Sequence, residues 1–256
     1  QVFDGATTYT CLLFLNKQDQ DEFEFTKVSD LENWRAFQTQ TSEVSETSEV
    51  SGTINAASIT SLEWNFAVGK DAGLFEKLSQ MPVKLGDIAY IFVGLQTSAD
   101  TVFLFKDTQI ANSPTINVRS KELDRIVEIE TGLLKPVVRS GEIGRYWANP
   151  SALVLFPYEI KNSKSKLKTE SDLKRDFPKT WNYLLLNKKL LSEREHGKFK
   201  DVGWHQLYPK NLDTWEQPKI MPPYMITRLS AFYDESNCYF VNVTTGGFGV
   251  TTDKKF

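Results

Sequence analysis

LGDIAYIFVGLQTSADTVFLF, Leu85–Phe105, decides the fold class. Apolar side chains cluster at strand spacing over Ile88–Val93 and again over Val102–Phe105. Between them Gly94 permits a bend whose tip carries the amide of Gln96 and the hydroxyl of Thr97. A second stretch, Gly132–Tyr158 (GLLKPVVRSGEIGRYWANPSALVLFPY), repeats the plan: its loop Ser140-Gly141-Glu142-Ile143-Gly144 is bracketed by Arg139 and Arg145. Strand-like runs recur at Ile116–Arg119, Ile126–Glu130, Leu153–Phe156, Lys219–Met221, Leu229–Tyr233 and Tyr239–Val243, ending in the glycine turn Gly246–Gly249. Lys166–Arg194 has helical spacing, interrupted at Pro178. The expected class is α+β, with a mostly β centre and flanking helices.

Upstream, Tyr9–Leu15 is a dense apolar strand expected to pair with Phe23–Val28 across the acidic turn Gln18–Glu22. Such a terminal β-hairpin with nothing before it suggests a sheet continued by residues of a longer protein. Ser29–Gln40 reads as a helix, with Ser29 and Glu32 at capping-box spacing. Thr41–Thr53 is a Ser/Thr/Glu-rich stretch with little to bury and is expected to be a mobile loop. Asp71–Gln80 places Leu74, Phe75 and Leu78 on one helical face. The organisation is read as terminal strands over 1–28, a helical connector over 29–84 and a β-rich domain over 85–256.

The formal charge of −3 is unevenly spread. Residues 1–60 hold ten acidic and three basic side chains, whereas 161–200 hold twelve basic and five acidic. A polyanion responds to the local field within ~10 Å. Lys161, Lys164, Lys166 and Lys168 are therefore candidates for phosphate attraction, with a solvated helical face as the plainer alternative. Cys11 and Cys238 both sit in apolar runs and are expected as buried free thiols. No apolar run approaches the ~18 residues of a membrane span, and a soluble, cytoplasmic protein is expected.

Catalytic motifs are missing from the sequence. There is no HExxH, GxSxG, P-loop or Rossmann glycine pattern, and two histidines lack partners at metal-ligand spacing. Side chains suited to reading a ligand are more plentiful. Gln matches an adenine edge bidentately and Arg a guanine edge, so Gln96, Thr97, Arg139 and Arg145 are the candidate DNA contacts. The competing roles are a self-satisfied turn for Gln96 and Thr97, and pairing with Glu142 or Glu159 for the arginines.

On these residues the chain resembles the C-terminal target-recognition region of TaqI-type adenine-N6 DNA methyltransferases, especially type IIG restriction–modification enzymes. The resemblance runs in order through VFDGATTYTCLLFLNK, LGDIAYIFVGLQTSADTVF, GLLKPVVRSGEIGRY with LVLFPY, Tyr183–Arg194, Gln217-Pro218-Lys219-Ile220 and Gly246–Gly249. Ser98 and Ser140 replace glycines of the family pattern. Lys135 stands for an arginine and keeps the cationic character, which adds it to the DNA-contacting set. The resemblance implies a target-recognition domain for double-stranded DNA, joined to its own catalytic methyltransferase domain. The parent would flip adenine and methylate it from S-adenosylmethionine. The family's Asn-Pro-Pro-Tyr loop and cofactor motif do not occur in these residues, so no catalytic or cofactor residue is assigned here. The rival reading is a protein–protein docking module of a restriction–modification complex.

Overall fold

Side-chain alternation and aromatic packing account for most of the architecture. The computed structural model describes residues 11–28, 49–59, 61, 64, 66–69, 72–106, 108, 112–139, 141–162, 164–200, 203–223, 228–235, 238–241 and 248–251. The chain divides into two compact units, 1–83 and 84–256.

In the first unit, β1 (Glu22–Val28) pairs antiparallel with β2 (Glu49–Asn55) over seven residue pairs. Phe23 and Phe25 share one face because strand side chains alternate. The ring of Phe66 stacks on Phe25 at 4.9 Å and meets Phe23 edge-on at 5.9 Å. Two expectations are thereby corrected. The partner of Phe23–Val28 is not Tyr9–Leu15: within that run, Cys11–Leu15 forms no strand, and Leu12 and Phe14 are 74% and 89% exposed. The end of the Ser/Thr/Glu stretch is strand, since Ile54 and Gly52 opposite Phe23 and Phe25 complete an apolar face. Cys11 is exposed, against the buried thiol expected, whereas Cys238 is buried. The expected helix Ser29–Gln40 lies outside the described residues. Helix α1 (Ala72–Ser79) forms where the 3.6-residue stripe predicts it.

The second unit opens with a single turn, α2 (Leu85–Ile88), and β3 (Tyr90–Val93). The expected strand Val102–Phe105 instead splits into α3 (Asp100–Phe103) and β4 (Leu104–Lys106). There follow β5 (Thr115–Ser120), β6 (Arg125–Glu130), β7 (Leu134–Val138), β8 (Ile143–Gly144), β9 (Trp147–Ala148), β10 (Ala152–Leu155), β11 (Tyr158–Lys161) and β12 (Lys164–Leu167). The helical run begins later than expected: α4 (Glu170–Asp176), α5 (Pro178–Leu186) and α6 (Lys188–Gly197). Thr169 caps α4 by accepting from the Asp172 amide at 3.1 Å. Pro178 opens α5, where its missing N–H costs nothing. The Glu130 carboxylate accepts from the amides of Lys179 and Thr180 at 2.8 and 2.7 Å, pinning that helix to β6. Strands β13 (Lys219–Met221), β14 (Phe232–Asp234), β15 (Tyr239–Phe240) and β16 (Phe248–Thr251) complete the unit.

Two four-stranded sheets have the orders β15-β7-β10-β4 and β14-β13-β16-β3. One stretch of chain serves both: β3 pairs with β16, and two residues later Leu95 bridges Val241 in parallel beside the other sheet. Their shared core centres on Trp215, whose indole contacts Phe92, Tyr239 and Phe240 at 5.0–5.5 Å between ring centres. Gly249 lies opposite Phe92, and a Cβ there would come within 2.2 Å of the ring. That close approach, rather than a free turn, explains this glycine of the Gly246–Gly249 motif; Gly246 and Gly247 lie outside the described residues.

Candidate nucleic-acid interface

Parallel register brings the two polar loops to one end of one sheet. β7 and β15 run parallel, with Tyr239 opposite Val137 and Phe240 opposite Val138. One residue further on, Val241 bridges Leu95, and Leu95 N–H donates to the Phe240 carbonyl at 2.9 Å. Arg139 and Leu95 therefore leave the sheet at the same level on either side of β15, roughly 10 Å apart at two strand spacings.

The loop after Leu95 is held tightly. Thr97 is buried, its hydroxyl donates to the Asp100 carboxylate and accepts from the Ala99 amide at 3.1 Å. Those bonds form the turn into α3 and engage the Thr97 hydroxyl locally. Gln96 is half-buried. Its carbonyl accepts from the Tyr208 amide at 2.9 Å, while no hydrogen bond holds its side-chain amide among the described residues.

Arg194 supports this loop from below. It is 8% exposed and has no carboxylate partner among the described residues. Its guanidinium instead donates to four backbone carbonyls: Thr97 at 2.5 Å, Leu191 at 3.0 Å, Trp204 at 3.2 Å and Gln206. The Phe199 and Phe103 rings lie 4.5 and 5.4 Å away. Burial pulls its pKa down to about 10, so it remains charged at neutral pH. α6 gives up helical geometry at Arg194, and Glu195 and His196 are left-handed (φ 52° and 56°). Sequence reasoning missed this residue, which looks like one more member of the basic run.

On the second loop, Arg139 and Arg145 part company. The Arg139 guanidinium meets Glu142 at 3.0 Å and also donates to Ser151, and Glu142 accepts from the Arg139 amide at 2.8 Å. Burial opposes ionisation of Glu142, but the bonds from Ser151 and Arg139 outweigh it and hold the carboxyl below its ordinary value. Arg139 is thus a staple of its own turn. Arg145 is exposed, lies 5.0 Å over the Tyr146 ring and donates to the Tyr146 hydroxyl at 3.1 Å. No carboxylate pairs with it among the described residues. Ser140 lies outside them.

The lysines vary in the same way. Lys135 bridges Glu216 at 2.7 Å. Lys161 and Lys164 face each other at the end of the β11–β12 hairpin and pair with Glu159 (2.8 Å) and Asp213 (3.2 Å). Lys166 stands across from Glu159, and Lys168 lies 5.2 Å over the Phe177 ring. The Glu159 carboxyl is held below its usual range by the Lys161 hydrogen bond, against desolvation, with the charges of Lys161, Lys168 and Lys166 assisting. This hairpin follows the end of β10 remote from the two loops, since β10 runs antiparallel to β7. Its tie to Gln96 runs through Tyr158, whose hydroxyl accepts from the Leu207 amide at 2.9 Å, next to Tyr208.

The sequence is similar to a restriction–modification enzyme. It is 29% identical over 205 aligned residues to the type II restriction enzyme and methyltransferase RM.Eco57I of Escherichia coli, a match covering 76% of this chain and 19% of the relative. The chain thus spans about a fifth of that protein and is related to it. No family model matches.

Among the described residues, no three His, Cys, Asp or Glu side chains are grouped to hold a metal, and no helix is long and apolar enough to cross a membrane. An open cleft of about 690 Å³ lies between Tyr90, Lys164, Asn211, Asp213 and Thr251. Asp213 is committed to Lys164 and the Ser165 amide, and the Tyr90 hydroxyl to Asn211.

Proposed function

We propose that residues 84–256 are a target-recognition domain that reads duplex DNA for an adenine-N6 methyltransferase of a restriction–modification system. The supporting observation is the register that carries the Gln96 loop and the Arg139–Arg145 hairpin out of one sheet end. In this reading Gln96 and Arg145 reach base edges or the flanking backbone. Arg139 and Thr97 hold the two loops in place. Lys135, Lys161, Lys164, Lys166 and Lys168 add sequence-independent phosphate attraction, weakened where acidic partners already stand. Catalysis and S-adenosylmethionine binding belong to a methyltransferase domain whose motifs these residues lack. The likeness to a restriction enzyme and methyltransferase supports this assignment.

The test is fluorescence anisotropy of the chain with random-sequence duplexes over a salt series, followed by selection of bound sequences. Expected are a steep loss of affinity with salt and an enriched motif. Binding without enrichment at any salt concentration rejects the recognition role. A parallel titration with S-adenosylmethionine is expected to show no saturable binding, and saturation would reassign the cofactor site to this chain.

A second reading, docking of another protein, draws on one specific feature. Tyr233, Ile220, Val250 and Ile91 lie in register across all four strands of the β14-β13-β16-β3 sheet. Tyr233, Ile220 and Ile91 are 58%, 47% and 46% exposed. A row of this kind suits an apolar partner face. Ile220→Lys separates the two readings: it leaves DNA affinity unchanged if only the docking face is lost.

A further inference from the structure

The β8–β9 hairpin ends in three exposed side chains on a firmly held base. Gly144 and Trp147 close a two-residue loop of Arg145 and Tyr146. Tyr146 has φ +70°, a left-handed position where glycine is the usual occupant, yet an aromatic stands there. Tyr146 is 76% exposed and Trp147 50%. The loop itself is anchored: the Tyr146 amide donates to the Ala231 carbonyl at 2.9 Å, and the Asn149 amide to the Glu142 carbonyl at 2.9 Å. The Trp147 indole occupies the space above Gly144, where a Cβ would lie 2.3 Å from Nε1. Packing thus fixes the indole, and Arg145 engages the Tyr146 ring face and hydroxyl.

We propose that the Arg145–Tyr146–Trp147 tip is a stacking element that fills the gap left by a displaced nucleobase where a duplex is locally unstacked. This rests on the DNA-reading role. Aromatic faces stack on bases of any identity, and a guanidinium without an acidic partner favours a polyanion over an ordinary protein surface. The tip belongs to the hairpin that follows Arg139 out of the sheet end that also carries Gln96.

The experiment uses the whole chain and two fluorescent duplex pools of random sequence, identical except for one central abasic site. The wild type is expected to bind the abasic pool on the order of ten-fold more tightly, the scale of one stacked ring. Tyr146→Gly and Trp147→Ala are expected to abolish that preference while binding the intact pool within about two-fold of wild type. Tyr146→Gly also suits the left-handed backbone, so its melting temperature is expected to equal or exceed that of the wild type. Equal affinity for both pools, or a preference retained by Tyr146→Gly, overturns the stacking role while leaving DNA reading in place. Binding to neither pool overturns the DNA-reading function itself.

Discussion

The guanidinium of Arg194 donates to the carbonyl oxygen of Thr97 at 2.5 Å, across 97 residues of sequence. A buried cation paired with no carboxylate among the described residues, but solvated by four carbonyls, is costly to place and informative about what it holds. Here it fixes the backbone of the loop that presents Gln96.

Arg194→Met leaves those carbonyls without donors. At roughly 1–3 kcal/mol for each buried group left unsatisfied, offset by relief of the buried charge, a net destabilisation of about 2–4 kcal/mol is expected in urea denaturation. Arg194→Lys keeps the charge but not the planar fork and is expected to lose about half as much. Amide exchange at 95–99 should accelerate in both variants. Unchanged exchange there would show that the loop stands without its support.

For DNA binding, Arg145 and Lys166 should behave differently. Arg145→Ala is expected to cost about 1–3 kcal/mol on the selected sequence and less on scrambled duplexes. Lys166→Ala is expected to weaken all duplexes alike and to reduce the salt slope by roughly one unit. Equal losses on both duplexes for Arg145→Ala would assign that residue to the phosphate backbone.

Acid should loosen the molecule in two separable steps. Burial lowers the His205 pKa, only partly opposed by its bond to the Lys168 carbonyl and the nearby Glu170 carboxylate, with Arg194 adding to the lowering. The unfolded imidazole therefore binds its proton first, and stability falls as pH drops below about 6.5. Glu142 has the ordinary acidic sign: its lowered pKa contributes stability above about pH 4.3, lost as pH falls through the folded value. His205→Gln should flatten the first decline and Glu142→Gln the second, read as unfolding free energy against pH. A His205→Gln curve parallel to the wild type between pH 5 and 7 would remove the histidine from the first step.

Much of this architecture is legible before any coordinates. β5 and β6 form within one residue of the expected bounds, and β13 spans the expected Lys219–Met221. The failures share a cause. Val102–Phe105 has strand composition, but the Thr97–Asp100 hydrogen bond starts a helical turn, and such local polar chemistry competes with propensity. Of the two arginines flanking the second loop, one pairs with a carboxylate and the other, among the described residues, does not. That difference depends on a turn that brings Glu142 back to Arg139, with Ser151 bonded to both. Arg194 was invisible because its partners are backbone carbonyls, which every residue has.

Gly249→Ala tests whether the β3–β16 ladder depends on close approach. The added methyl must displace the Phe92 ring, which is packed against Trp215 and Phe240. Overpacking of this kind typically costs about 1–3 kcal/mol. Phe92→Leu in the Gly249→Ala background is expected to recover part of the loss. Simple additivity of the two changes would show that the glycine serves another purpose.

The strongest stability prediction concerns Lys219 and Asp234, which join β13 to β14. Their side chains are 0% and 3% exposed, with Nζ 2.5 Å from the carboxylate. Lys219 also donates to the Trp215 carbonyl at 2.9 Å, and Asp234 accepts from the Cys238 amide at 3.1 Å. Two ions desolvated together roughly break even, whereas one left alone does not. Lys219→Met is therefore expected to destabilise by about 3–5 kcal/mol, because the Asp234 carboxylate stays buried without its cation. Lys219→Met with Asp234→Asn keeps an acceptor for the Cys238 amide and should regain more than half of that loss. Unfolding free energies of the four proteins in this cycle decide the matter. If the double variant were no better than Lys219→Met alone, the cost would lie in lost packing around Trp215 rather than in the stranded charge.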